Sequence, residues 1–201
     1  MDVTLEEIVA AAERIEGHVY RSPCPPSTPL SEETGFKIFC KLEHLQRTGS
    51  FKERGACNAL LCLDEDSRSR GVIAASAGNH ALGLSYHGGK LGVPVTVVMP
   101  RYAPLMKAAN CRKLGAEVVL FGEDFEEAHL RAKEIAEENG AIYVNGYDDA
   151  PIIAGQGTLG LEILDQVPDV QAILVPIGGG GLIAGVALAV KSRKPDVTLI
   201  G

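Results

Sequence analysis

Val72-Ile73-Ala74-Ala75-Ser76-Ala77-Gly78-Asn79-His80 is the stretch on which the fold reading turns. Four apolar residues make a short strand with no polar face. Small polar residues then make a turn, and a Gly-rich helical segment runs on to Leu91. The unit repeats downstream. Val93 to Met99 is a β-branched run followed by a helix from Pro104 to Leu114. Glu117 to Phe121 reads as a strand, followed by a helix from Phe125 to Glu138 on which Phe125, Ala128, Ala132, Ile135 and Ala136 share a face. Ala141 to Val144 is a further strand. Wholly apolar strands alternating with helices imply parallel sheets covered on both faces, so the expected class is α/β.

Outward from this centre the signals are shorter. Toward the N-terminus, Thr4-x-x-Glu7 reads as a capping box ahead of Leu5, Ile8, Ala12 and Ile15 at helical spacing. The prolines at 23, 25, 26 and 29 break that helix, Lys37 to Leu42 reads as a strand, and a helix is expected from about Phe51 to Leu63. Toward the C-terminus, a helix near Thr158 to Gln166 precedes the apolar run Ala172 to Ile177. Gly178 to Gly181, a helix from Leu182 to Ser192, and Val197 to Ile200 follow. There is no internal repeat and no low-complexity linker.

Composition narrows the function classes. Among 201 residues, 46% are hydrophobic and 22% charged, ordinary for a globular protein with a sizeable core. The net charge of −7 comes without a basic run, so nucleic acid is not an expected partner. Apolar runs are too short for a bilayer span, and the N-terminus lacks a secretory pattern, so neither membrane nor export is expected. Five scattered cysteines without a C-x-x-C pair suit reduced, small buried thiols and a cytoplasmic setting, with no metal site.

Three motifs carry chemistry. In Ser50-Phe51-Lys52-Glu53-Arg54-Gly55, a lysine opens a helix. Lysines among charged residues are ordinarily solvated. One that forms a Schiff base needs a fixed position and a lowered pKa, which a helix N-terminus favours. Ser76 to His80, just past a strand, is either a capped strand-to-helix turn or an anion cradle at the carboxyl end of a sheet. His80 and His87 have no further ligand spaced to join them around a metal. Gly178-Gly179-Gly180-Gly181-Leu182 lies between an apolar strand and an apolar helix. Four glycines destabilise such a junction unless a ligand approaches closely, and exposed N–H groups with a helix dipole suit a phosphate. Gly179-x-Gly181-x-x-Ala184 also fits a loose dinucleotide fingerprint.

Taken together and in this order, the motifs resemble those of the fold-type II pyridoxal-phosphate (PLP) enzymes. Within these the chain is similar to the threonine/serine dehydratase and serine racemase branch. The resemblance covers nearly the whole chain, including Thr48 to Lys52, Ser76 to His80, Ile153-Ala154-Gly155-Gln156-Gly157-Thr158 and Val175 to Leu182. It implies the tryptophan synthase β-like architecture, with a large PLP-binding domain (residues 1–69 and 149–201) and a small domain (70–148). It implies that Lys52 carries PLP as a Schiff base, that Phe51 packs beside the cofactor and that Asn79 meets its 3′-oxygen. Gly178, Gly179, Gly180, Gly181 and Leu182 would cradle its phosphate. Ser76, Ala77, Gly78, Asn79 and His80 would hold the carboxylate of an amino-acid substrate.

The reaction so implied is β-elimination of water from L-threonine or L-serine, giving a 2-oxo acid and ammonia. A homo-oligomer working in amino-acid metabolism, such as isoleucine biosynthesis, is the implied setting. Cysteine synthases typically carry Thr where this chain has His80. Racemases of the branch carry a serine where this chain has Ala77, which cannot move a proton, so dehydration is favoured over racemisation. A serine racemase, another fold-type II enzyme, a nicotinamide-dependent oxidoreductase using Gly179 and a non-catalytic ligand-binding protein are the alternatives. The sequence stops at Gly201, directly after an apolar run, where the family has further core strands and a hydroxyl or thiol for the pyridine nitrogen. The expectation is therefore a large domain incomplete at its C-terminus, with apolar surface exposed around Leu174, Ile177 and Leu199.

Overall fold

Pattern and structure agree most closely at the central sheet. A computed structural model of the chain describes residues 3–201. Strands β1 (Val72–Ala75), β2 (Val95–Met99), β3 (Glu117–Leu120) and β4 (Ile142–Tyr143) form one sheet in the order β3-β2-β1-β4. All of its pairings are parallel, with Val72 opposite Val95 and Ile142, and Thr96 opposite Glu117.

Alternation along the strands feeds two separate cores. Val72, Ala74, Val95, Val97 and Met99 face helices α5 (Asn79–Leu91) and α6 (Leu105–Lys113). Ile73, Ala75 and Val98 face α7 (Phe125–Asn139) through Ala128 and Ala132. Both faces are apolar because both are covered, as parallel sheets require.

A second, two-stranded parallel sheet pairs β5 (Ala172–Leu174) with β6 (Thr198–Ile200). Beside it, α8 (Ala150–Gln166) packs against α1 (Leu5–Ile15), α3 (Lys52–Leu61) and α9 (Gly181–Arg193). The capping box of α1 is present: Glu7 N–H donates to Thr4 Oγ1 at 3.3 Å and Thr4 N–H to Glu7 Oε2 at 2.8 Å. Leu174 and Ile177 are exposed, as expected from the sequence, whereas Leu199 is half-buried against the β5–α9 core.

The structure differs from the sequence reading in four places. Lys37 to Leu42 forms no strand, only an isolated antiparallel bridge between Pro26 and Phe39. Its neighbours are Pro23, Pro25 and Pro26; Pro23 O and Pro25 O accept from Leu42 and Cys40, but none of the three has an N–H to return, so the ladder does not propagate. The same proline-rich region contains helix α2 (Thr28–Thr34), with Pro29 in its first turn, where a missing N–H costs nothing. Helix α8 begins at Ala150 rather than near Thr158, despite Gly155, Gly157 and Gly160. Short α4 (Glu65–Arg70), capped by Asp64, was not foreseen.

The α8 glycines are explained by what touches them. A Cβ on Gly155 would lie 2.7 Å from Arg54 O and from Gly55 Cα, and one on Gly157 3.0 Å from Gly185 O. Backbones of α3, α8 and α9 thus meet without side chains between them, which offsets the poor helix propensity of glycine. Gly155→Ala is expected to destabilise the fold by about 1–3 kcal/mol through overpacking. A lowered urea midpoint at constant slope would register this, and an unchanged midpoint would refute the close approach.

All five cysteines are free, but only Cys57 and Cys111 are buried. Cys62 is exposed, which corrects the expectation of uniformly buried thiols. Burial pushes the Cys57 thiol up to about 12, with the Glu53 charge adding to it, so it is inert at neutral pH. Among the described residues no helix is long and apolar enough to cross a membrane.

Candidate active site

Lys52 occupies the first position of α3, and α3 packs against α5 and α8, so its backbone is fixed by three helices. Its amine lies in a cavity of about 190 Å³ at the carboxyl ends of β1 and β4. There Nζ donates to Gly146 O at 2.5 Å and sits 5.4 Å from the centre of the Phe51 ring. Among the described residues no carboxylate pairs with it. Burial therefore holds the amine below the ordinary lysine range, as a nucleophilic lysine requires.

The β1 end of the cavity is made by Ser76, Asn79 and His80. Ser76 Oγ accepts the N–H groups of Gly78 (3.2 Å) and Ala81 (3.4 Å), which shapes the turn into α5. Asn79 Oδ1 accepts Lys107 Nζ at 2.9 Å, leaving the amide nitrogen of Asn79 free to donate. His80 is buried, with Nε2 3.3 Å from Val144 O and Nδ1 without a partner. Burial, reinforced by the Lys52 charge, pushes its imidazole down to about 4, so it is neutral at pH 7.

Gly178–Leu182 lies on the far side of Tyr147. The Tyr147 ring lines the cavity on one side and covers Gly179 on the other. A Cβ on Gly179 would collide with that ring, and one on Gly181 with Tyr147 O. Gly180 caps α9 with φ +90°, a left-handed conformation that suits glycine. Among the described residues, the N–H groups of Gly178 to Leu182 have no acceptor. Leu182 and Phe51 pack in one apolar cluster, which ties the glycine loop to the residue preceding Lys52.

Of the residues expected from the sequence, the structure brings Lys52, Ser76, Asn79 and His80 to one cavity. Phe51 borders it through Lys52, and the glycine loop is reached through Tyr147. Ala77 packs toward the α5 core, and Gly78 only shapes the turn. Sequence reasoning missed Tyr143, Asn145, Gly146 and Tyr147, although Asn145-Gly146 follows a strand end just as Ser76 does. It also placed Phe125 on the core face of α7. The ring is 44% exposed and lines the cavity together with His129. An apolar residue at helical spacing carries no signal that separates these two positions.

Comparison with known proteins agrees with this geometry. A family model described as "Pyridoxal-phosphate dependent enzyme" matches residues 15–201. An L-threonine ammonia-lyase of Thermotoga maritima is 51% identical over 199 residues, which cover 99% of this chain and 50% of that protein. A catabolic L-threonine dehydratase of Escherichia coli K12 is 46% identical over 201 residues, covering 100% and 61%. Among solved structures, maize serine racemase superposes with a TM-score of 0.96 at 38% identity, covering 99% of this chain and 60% of that one. Threonine deaminase isoform 2 of Solanum lycopersicum does so with 0.91 at 41%, covering 98% and 54%. The chain thus spans 50% to 61% of the length of these relatives.

Proposed function

Because this chain belongs to the family of pyridoxal-phosphate dependent enzymes, we propose that it forms the lysine-bearing part of an L-threonine/L-serine dehydratase. The observation that carries this reading is a half-buried amine without a counter-charge, Lys52, facing the Ser76–His80 turn across one cavity. The residues present fit the cofactor. The uncapped N–H groups at the start of α9, in a glycine loop where a Cβ on Gly179 or Gly181 would collide with Tyr147, suit its phosphate. Lys52 Nζ would hold it covalently, Phe51 would pack beside it, and the free amide nitrogen of Asn79 would meet its ring oxygen. The family match favours this cradle reading of Gly178–Leu182 over a dinucleotide site.

When bound, PLP supplies an electron sink at the substrate Cα. The chain's own residues do the rest. Lys52 Nζ would take the Cα proton as general base. Ser76 Oγ and the N–H groups of the Ser76–His80 turn hold the substrate carboxylate, and neutral His80 adds no charge there. Ala77 offers no proton on the opposite side, which supports elimination over racemisation.

The reading extends to a large domain (1–69 and 149–201) around a small one (70–148), and to a cytoplasmic homo-oligomer acting on a small amino acid. Relatives named catabolic stand among the matches, so threonine breakdown is proposed beside isoleucine biosynthesis as its setting. The test is direct. Borohydride treatment of the PLP-loaded protein and peptide mapping should place the pyridoxyl group on Lys52, and L-threonine should give 2-oxobutanoate. Label on another residue, or no keto acid from threonine or serine, would reject the proposal. Ala77→Ser is expected to add minor D-serine formation, because a hydroxyl then stands where racemases carry theirs. Chiral chromatography free of D-serine would count against that assignment.

A further inference from the structure

Lys107 on α6 is a cation that the lysine chemistry does not use. Its Nζ donates to Asn79 Oδ1 at 2.9 Å, and Asn79 stands at the exposed mouth of the Lys52 cavity as the first residue of α5. Packing sets its place. Helix α6 lies against α5, and the next residue, Ala108, is buried with Cys111 in the core that α5 shares. Lys107 itself is half-buried.

Neither charge pairing nor the helix field accounts for this contact. Among the described residues no carboxylate pairs with Lys107. A cation at a helix N-terminus opposes the dipole, and this one meets the start of α5. Lys52 lies in the same cavity, also without a carboxylate partner. Positive groups thus gather at one opening, an arrangement that an anionic ligand offsets.

The contact also decides which way the amide points. An ammonium group has donors and no acceptor, so it holds the oxygen of an amide and not the NH2 group. With Oδ1 engaged by Lys107, Nδ2 remains the free donor of a residue that lines the cavity.

We propose that Lys107 is a positioning residue for the cofactor's ring oxygen. It locks the Asn79 amide with its NH2 group available to that oxygen, and its charge polarises the amide into a stronger donor. This rests on the PLP reading above. Without the ammonium the amide is free to turn over, and its oxygen would then meet an ionised ring oxygen, acceptor against acceptor. Arginine, which also has donors only, preserves the orientation, whereas uncharged methionine does not.

Titration of the apo-protein with PLP should show Lys107→Met binding about 10-fold more weakly, the loss of one hydrogen bond to a charged group. In the loaded protein the visible absorbance band should fall relative to the near-ultraviolet one, because the ionised ring oxygen carries the visible band. Lys107→Arg should restore both. A structural role alone would lower the urea midpoint and leave the affinity and band ratio of the folded protein unchanged. That result, or equal losses in Lys107→Arg and Lys107→Met, would overturn the proposal. In the apo-protein the side-chain 15N–1H signals of Asn79, assigned by their absence in Asn79→Asp, should move in Lys107→Met and hold in Lys107→Arg. Unmoved signals in Lys107→Met would show that the contact does not exist in solution. If borohydride places no pyridoxyl group on Lys52 of the wild type, the cofactor reading itself fails and takes this proposal with it. That outcome is distinct from unaltered PLP binding by Lys107→Met in a protein that labels normally.

Discussion

Lys52→Ala is expected to lower keto-acid formation from L-threonine and L-serine by about 1,000-fold or more, the range of a lost general base. The reason lies in the surroundings of the amine. It is desolvated, anchored by Gly146 O, and without a carboxylate partner among the described residues, so burial holds the amine below the ordinary lysine range and it gives up its proton more readily than a surface lysine. His80, the nearest basic ring on the β1 side, is neutral too, but its Nε2 is engaged by Val144 O and it cannot replace the lysine as base. Association of the amino acid with cofactor-loaded Lys52→Ala protein, read as an absorbance change, should survive, because that step needs only the substrate amine. Stopped-flow absorbance and a coupled keto-acid assay separate the two. Wild-type turnover by the variant would remove Lys52 from the mechanism.

The largest expected loss of stability follows Arg54→Ala. The guanidinium is fully buried and is held by Glu43 (2.8 Å to Oε1 and Oε2) and by Glu162 (2.7 and 2.9 Å), with Lys41 also paired to Glu162. Removing it takes the guanidinium from Glu43, whose side chain is 11% exposed and keeps only Ser22 and Gln46 as hydrogen-bond partners, and leaves Glu162 to Lys41 alone. Breaking a buried ion network from one side costs about 3–5 kcal/mol. Urea unfolding followed by circular dichroism should show it, and a loss below about 1 kcal/mol would mean that the carboxylates find water.

The same network sets an acid limit. Burial raises the Glu43 carboxyl, but the hydrogen bonds and charge of Arg54, with Ser22 and Lys41, outweigh this and hold it below the usual range. A folded-state pKa below the unfolded one gives stability that is present above the unfolded value, near 4.3 for glutamate. It is lost as pH falls through the folded value. Arg54→Ala should flatten that acid limb.

Much of the fold was legible because parallel sheets impose a local signature. Val72–Ala75 matches the observed strand residue for residue, and α7 differs by one residue at its end. Both rest on patterns that short-range sterics and burial write directly into the chain. The region from Pro23 to Leu42 was misread because its outcome depends on which strand could answer it, and prolines cannot. Helix α8 was cut short because glycine propensity is a local quantity. The reason for those glycines, the close approach of α3 and α9, is not local.

By itself the sequence determined the α/β alternation, the strand-end position of Ser76–His80, the helix-start position of Lys52, the place of the glycine loop between strand and helix, and, through motif resemblance, the cofactor class. Only the tertiary structure decided that Glu53 and Arg54, charged neighbours of Lys52, are wholly buried. It alone brought His129 and Tyr143, 14 residues apart on different elements, to 2.6 Å in the lysine's cavity. It also put Tyr147 between that cavity and the glycine loop. The physical reason is common to all three. Backbone hydrogen bonding and side-chain periodicity act within a few residues, so they leave a trace in sequence. Desolvation of a charge and convergence of side chains depend on elements that meet across the sheet, and no local pattern records them.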